Sequence, residues 1–314
     1  MLTAFTTIPG RLSRLPEHAD RQALATAVWI DLAEPTAEER ALVESLHETE
    51  LPETEDLEEI EASSRSYVDE RGLHIASMFL HRIEGRDEIV HALLRITNDR
   101  LVTLHDPEIP ALRLLRMRAD RRRTGQTPLD LLQALFEIKL DHLADTLEAI
   151  QEALDDIGDT AFQQARGGLR QTIDTLTQLE HRNSKVRLCL TDAQRDLMFL
   201  IRHGGLDKPM RRSIGALLRD ANSLLPHCTF LFEKVGFLLQ AIQGAINIEQ
   251  NQIIKIFSVA AVIFLPPTLI ASIYGMNFRV MPELDWQWGY PLTIVLMILS
   301  GIAPYMFFRR KGWL

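Results

Sequence analysis

Cysteine is scarce in this chain of 314 residues: there are two, Cys189 and Cys228. Their spacing fits no metal-ligand pattern and two thiols make no disulfide framework, so a reducing compartment is expected. Excess positive charge is lacking as well. The 43 acidic residues outnumber the 34 basic ones and leave a net charge of -9. That argues against a nucleic-acid partner, because such proteins present basic faces to phosphate. Residues 1–15 lack the apolar core of a signal peptide, so export of the large polar region is not expected. No phosphate-binding glycine loop, dinucleotide fingerprint, His-Glu-x-x-His motif or Gly-x-Ser-x-Gly elbow occurs, and the ten histidines are scattered. No enzyme and no bound cofactor are expected. The last absence is the most informative: no charged residue stands between Lys255 and Arg279, and none between Asp285 and Arg309.

Average hydropathy is close to neutral, but the apolar residues are unevenly placed. Before Lys255 charges recur every few residues. Residues 1–125 read as a mixed α/β domain. Ala27-Val28-Trp29-Ile30-Asp31-Leu32 reads as a strand, and Thr36 with Glu39 is a capping box for a helix to about Glu48. Residues 73–80 and 89–97 read as strands, with Asn98-Asp99-Arg100 turning the chain into a returning strand at 101–104. Residues 126–252 read as long helices. Thr127-Pro128 opens one running to about Ile157. Gly167-Gly168 precedes a second at 169–201, and Gly204-Gly205 with Pro209 a third from about Met210. Pro226 either kinks this last helix or marks its start. Beyond it Cys228, Leu231, Val235, Leu238, Ile242 and Ala245 form a coiled-coil-like stripe. The stripe fits packing on the chain's own helices or an oligomeric stalk. The acidic run from Glu48 to Glu61 reads as a solvated face, with cation sensing as the alternative.

The charge-free stretches read as transmembrane helices. Residues 253–273 reach roughly 30 Å as a helix, the thickness of the hydrocarbon core. Residues 291–308 are shorter but adequate, and 274–290 form the loop between them. Tyr274, Phe278, Trp286, Trp288 and Tyr290 mark one interface, and Phe307, Phe308 and Trp313 the other. Lys255 and the basic tail at 309–314, with Arg309, Arg310 and Lys311, face a loop whose one basic residue is Arg279. The positive-inside rule puts both termini in the cytoplasm of a multi-pass protein.

The first span carries a polar stripe. Asn251, Ser258, Thr268 and Ser272 fall on a repeat of three and four, with Ile254, Ala261 and Leu265 completing the register on one helix face. In the plainer reading the hydroxyls bond back to their own backbone. Taken together beside an almost wholly apolar second span, they point to a pore-lining face in a symmetric ring.

Tyr274-Gly275-Met276-Asn277-Phe278, following Phe264-Leu265-Pro266-Pro267-Thr268 and preceding Met281-Pro282-Glu283-Leu284, resembles the signature of the CorA family of magnesium transporters. Asn247-Ile248-Glu249-Gln250-Asn251, Gly289-Tyr290-Pro291, the closing Arg309-Arg310-Lys311-Gly312-Trp313-Leu314 and the order of the whole chain also fit. Met281-Pro282-Glu283-Leu284 looks like the magnesium importers rather than the zinc-transporting branch. The resemblance implies a homopentamer in the bacterial inner membrane, with the first spans lining the pore and cytoplasmic domains forming a funnel. It implies that Gly275, Met276 and Asn277 form a selectivity ring, that Lys255, Arg309, Arg310 and Lys311 form a cytoplasmic basic ring, and that Co²⁺ and Ni²⁺ also pass. Mg²⁺ is then substrate and regulatory ligand, membrane lipid a partner, and nucleic acid not. The family's cation-sensing aspartates lie between neighbouring cytoplasmic domains, and no position of this chain is assigned to them.

Those residue types suit the chemistry. Mg²⁺ gives up its octahedral water shell reluctantly, so an entrance should recognise the hydrated ion. Asn277 side chains and Gly275 carbonyls offer acceptors to its polarised waters without a full charge that would trap it. Glu283 and Asp285 read as solubilising, with a cation-concentrating rim as the alternative. An inside-negative potential is worth about 4.6 kcal/mol per 100 mV to a divalent ion, so passive flow suffices. A membrane-anchored sensor, its helices mere tethers, accounts for the topology but not for the stripe or the Gly-Met-Asn loop.

Overall fold

A computed structural model of the chain describes residues 1–8, 11–16, 20–47, 51, 66–83, 85–121, 125–161, 169–277, 281–282 and 286–313. The acidic residues of the run from Glu48 to Glu61 lie outside the described residues, as do Gly167-Gly168, Phe278, Arg279, Glu283, Asp285 and Leu314. The chain divides into two units, Met1–Leu238 and Leu239–Leu314.

The first unit is built on a seven-stranded sheet. Its strands are β1 (Leu2–Ile8), β2 (Arg11–Arg14), β3 (Trp29–Ala33), β4 (Ser66–Asp69), β5 (Gly72–Ile83), β6 (Arg86–Ile96) and β7 (Leu101–His105). They lie in the order β2-β1-β3-β7-β6-β5-β4. Only β3 and β7 run parallel, with Asp31 opposite Thr103. The strands read from sequence at 27–32, 73–80, 89–97 and 101–104 correspond to β3, β5, β6 and β7. Strands β1, β2 and β4 were not foreseen, because they are short or lack a clean apolar alternation.

Side chains alternate between the two faces of a strand, and the two faces differ. On one, Ile30, Leu32, Val102 and Leu104 join Ala76 and Leu93 in an apolar layer. Leu24 of α1 (Arg21–Ala25) and Val43 of α2 (Ala37–His47) close over it. Helix α2 starts where its capping box sits: Thr36 Oγ1 accepts from Glu39 N at 3.2 Å and Glu39 Oε2 accepts from Thr36 N at 2.9 Å. Such a cap is worth about 1 kcal/mol.

The other face is covered by α3 (Pro110–Asp120), α4 (Pro128–Ala161) and α5 (Leu169–His203). Leu131, Leu132, Leu135 and Phe136 of α4 and Val186, Leu190, Ala193 and Leu197 of α5 are fully buried, at the three-and-four spacing of a helix face. Thr127 caps α4 as expected, its Oγ1 accepting from Asp130 N at 3.2 Å while Asp130 Oδ2 accepts from Thr127 N at 3.1 Å. Helix α4 runs on past Ile157 to Ala161.

Two buried polar networks tie this face to its helices. Ser77 of β5 donates to Asp196 at 2.6 Å and accepts from Lys139 Nζ at 2.8 Å; Asp192 accepts from Met78 N at 2.6 Å and pairs with Lys139 at 3.1 Å. In the second, Asp31 accepts from Thr103 Oγ1 at 2.5 Å, lies 3.2 Å from His105 Nε2, and pairs with Arg116 of α3. Buried charge is tolerated when it is paired and hydrogen-bonded in this way.

Helix α6 (Lys208–Tyr274) bears out the helix read from about Met210. It starts at Lys208, with Pro209 in its first turn where a missing N–H costs nothing, and it passes through Pro226 without ending. Pro226 therefore does not mark the helix start. Cys228, Leu231, Val235 and Leu238 are buried and pack on the chain's own helices. Asn183 Nδ2 of α5 donates to Cys228 O at 2.9 Å, and Lys234 pairs with Asp155 of α4. Burial pushes the Cys228 thiol up to about 11. The stripe is thus a packing face here rather than a bare stalk surface; Ala245, its last member, is exposed.

Burial alone would raise the Asp31 carboxyl. The hydrogen bond and charge of His105, the charge of Arg116 and the Thr103 hydroxyl outweigh it and hold Asp31 below its ordinary value. A depressed carboxylate contributes stability above its unfolded value of about 3.9, and that stability is lost as pH falls through the lower native value. Asp31→Asn should therefore cost about 3–5 kcal/mol near pH 7, because His105 and Arg116 lose the Asp31 carboxylate and Arg116 keeps only the more exposed Glu108. Denaturant unfolding followed through Trp29 should show a smaller cost at about pH 2.5. An equal cost at both pH values would contradict this account.

Candidate functional site

A backbone surrounded by hydrocarbon must satisfy its own hydrogen bonds, so a charge-free stretch of this length folds as a helix. The second unit contains the C-terminal part of α6 and α7 (Gly289–Arg310), both long and apolar enough to cross a membrane. Helix α7 extends beyond the expected 291–308 at both ends, so Arg309 and Arg310 form its last turn rather than a separate tail. A buried core helix of a soluble protein would hide its large side chains. Here Phe257 is 72% and Phe264 69% exposed, as lipid contact requires.

Asn251, Ser258, Leu265, Thr268 and Ser272 all lie on α6 and all are exposed. At about 100° per residue they share one side of the helix. Val259, near the opposite side, is buried. A Cβ added to Gly301 of α7 would stand 3.5 Å from Pro267 Cγ and 3.7 Å from Ile263 O, so Ile263 and Pro267 mark the face that packs on α7. The polar stripe is on the side turned away from the chain's own second span. Pro266 and Pro267 lack N–H groups and so leave the carbonyls of Val262 and Ile263 without their usual helical donors; the Ile263 carbonyl is the one Gly301 approaches.

Thr268 Oγ1 donates to Phe264 O at 2.7 Å, and Thr293 of α7 donates to Gly289 O at 2.8 Å. Both hydroxyls bond back to their own helix. For Thr268 that is the plainer reading of the stripe at the level of a single side chain. The hydroxyl still keeps lone pairs for another donor.

Gly275, Met276 and Asn277 follow the end of α6 and are exposed. Gly275 N donates to Ala271 O at 2.9 Å and Met276 N to Ile273 O at 3.3 Å, so the helix tightens as it ends. A Cβ at Gly275 would stand 3.1 Å from Ala271 O, which favours glycine. Trp286, Trp288 and Tyr290 near the start of α7 are exposed, as interfacial aromatics should be. At the other end Lys255 Nζ lies 6.0 Å from the centre of the Trp313 ring, so the structure brings Lys255 to the residues that follow Arg309, Arg310 and Lys311.

The first unit offers two acidic hollows that sequence reasoning did not single out. A cleft of about 790 Å³ is lined by Asp69, Asp99, Asp130 and Asp207. Its acids are largely engaged: Asp69 accepts from Arg71 N, and Asp130 and Asp207 cap α4 and α6. A groove of about 590 Å³ lies between α4 and α6, lined by Glu137, Asp141 and Asp220. Its signal was legible in part, since Glu137 and Asp141 stand four apart on one helix face. Among the described residues no three His, Cys, Asp or Glu side chains are grouped to hold a metal directly.

Residues 25–310 match the family described as CorA-like Mg²⁺ transporter protein. The chain belongs to the CorA family. It is 47% identical over 318 aligned positions to the magnesium transport protein CorA of Salmonella typhimurium and, to the same extent, to that of Escherichia coli, with each chain covered completely. The solved structure of the CorA magnesium transporter from Methanocaldococcus jannaschii superposes with a TM-score of 0.85 at 22% identity, covering 100% of this chain and 99% of that one. The shared fold is the expected α/β domain, long helices and two C-terminal apolar helices. CorA relatives are membrane transporters, not enzymes.

Proposed function

We propose that this CorA-family chain carries Mg²⁺ into the cytoplasm across the bacterial inner membrane, by passive flow through a pore enclosed by a homopentamer. The observation that carries the reading is the polar stripe on the side of α6 turned away from α7. A helix pair in lipid has no reason to leave Asn251, Ser258, Thr268 and Ser272 facing outward; a ring of copies gives that face water. Asn251, Ser258, Leu265, Thr268 and Ser272 then line the path, and both termini lie in the cytoplasm. Gly275, Met276 and Asn277 form the outer ring, where Gly275 carbonyls and Asn277 amides accept hydrogen bonds from the ion's water shell. Co²⁺ and Ni²⁺, which also hold water shells, pass as well. The tether reading leaves the stripe without a role.

The selectivity ring yields a direct test. Asn277→Ala removes an acceptor and an amide donor from every subunit at once, each worth on the order of 1 kcal/mol. It should abolish Mg²⁺ flux into liposomes containing the purified protein while the oligomer still assembles. Wild-type flux of Mg²⁺, Co²⁺ and Ni²⁺ alone supports the transport reading, and normal flux through assembled Asn277→Ala removes the ring from it.

The stripe itself can be probed chemically. Thr268→Cys should react with small aqueous thiol reagents in the conducting protein far faster than Thr293→Cys. Equal labelling of the two would take Thr268 off the path.

Flow driven by the membrane potential needs a limit. Mg²⁺ in the cytoplasm supplies it by binding between the acidic first units of neighbouring copies and favouring the closed state, since a ligand shifts only an equilibrium whose states it binds unequally. Limited proteolysis of the first unit should slow in millimolar Mg²⁺. Identical digestion with and without the ion would sink this regulation.

A further inference from the structure

The end of α7 and the residues after it form a closed cap. Gly312 has a φ of +69°, in the left-handed region that glycine enters without strain. Its N–H donates to Arg309 O at 3.2 Å, and the Trp313 N–H donates to Phe308 O at 3.0 Å. These are the two bonds of a Schellman motif, which is commonly sealed by an apolar contact between the same outer residues. Here the Trp313 ring stacks on Phe308, with centroids 5.5 Å apart and planes 20° from parallel. Phe307 meets Phe308 edge-on at 5.6 Å.

The same ring meets Lys255. Its ammonium lies 6.0 Å from the Trp313 centroid, at the limit of cation–π reach. Lys255 is the lone charge between Glu249 and Arg279, and no residue in 250–278 or 286–313 is acidic. The two spans therefore offer this ammonium no carboxylate. An aromatic face is the partner that an apolar setting leaves to it.

We propose that Trp313 is the positioning residue of the basic cluster. Its ring holds Lys255 on α6, and the cap it completes fixes Arg309, Arg310 and Lys311 on α7. Four cations are thereby held as one group at the end of the span pair where ions leave. This rests on the pore reading above, with that end facing the cytoplasm. A fixed group of positive charge sets the potential that a departing cation meets. Once Trp313 is gone, the Lys255 side chain disperses over its rotamers and the local field weakens.

Two measurements on the full-length protein test this. In detergent, the rate at which an amine-acetylating reagent modifies Lys255, read by mass spectrometry, should rise about two- to fivefold in Trp313→Ala, the ratio that such a contact supports. Trp313→Phe should restore most of the protection, and Gly312→Ala should lose part of it. In liposomes, Trp313→Ala and Lys255→Gln should each raise Mg²⁺ flux, and the double variant should raise it by less than the sum of the two single effects, because coupled residues are not additive. Unchanged Lys255 reactivity in Trp313→Ala, or additive flux changes, overturns the proposal. A wild-type protein without Mg²⁺ flux overturns the pore reading instead, and the acetylation rates still decide whether Trp313 holds Lys255.

Discussion

Hydrocarbon offers no hydrogen-bond partner, and the second unit is organised by that fact. A backbone that crosses it has to be helical, which is why two charge-free stretches become the C-terminal part of α6 and the whole of α7. Departures from helical pairing are few and local. Pro266 and Pro267 release two carbonyls, and Gly301 lets α7 approach one of them closely. Thr268 sends its hydrogen to Phe264 O. Gly275 and Met276 close the helix with a tightened turn. The end of α7 closes with the left-handed Gly312. The Thr268 hydroxyl and the N–H groups at the two helix ends are thus answered locally, within the spans or just beyond them.

The first unit meets the opposite problem, a sheet whose one face is apolar and whose other face carries buried charge. Asp31, Thr103 and His105 stand on alternate positions of two parallel neighbours and so meet on one face, where Arg116 of α3 completes the set. Lys139, Asp192 and Asp196 do the same for Ser77. Networks of this kind lose more when one member is removed than when all are replaced. They fix which helix lies over which strand, something that an apolar layer alone specifies loosely.

Much of this was legible in the sequence, for identifiable reasons. The spans declared themselves because charge is wholly absent over a membrane's thickness. The capping box at Thr36 declared its helix because the partners lie three residues apart, and Thr127 declared its own because a proline follows it at the first helical position. The polar stripe of α6 followed from helical spacing, and its direction away from α7 needed coordinates. Strands β1, β2 and β4 were missed because an edge or partly exposed strand has no strong period. Pro226 left two readings open because proline can kink a helix or start one, and the continuous helix rules out the second. The buried networks were invisible in sequence, since Asp31 and Arg116, or Ser77 and Asp192, meet only after folding. The Gly-Met-Asn loop was recognised by its neighbours rather than by any property of three residues.

The single hydrogen bond of Thr268 has a consequence for the sign of the permeating ion. With its hydrogen committed to Phe264 O, the hydroxyl has only lone pairs to present to the path proposed for α6. Water around a cation turns its hydrogens outward and seeks acceptors; water around an anion turns its oxygens outward and seeks donors. In the proposed oligomer a ring of such threonines would welcome the hydration shell of one charge type and offer little to the other. Such a ring would discriminate by the orientation of solvent, with no charged side chain to bind the ion and delay its departure.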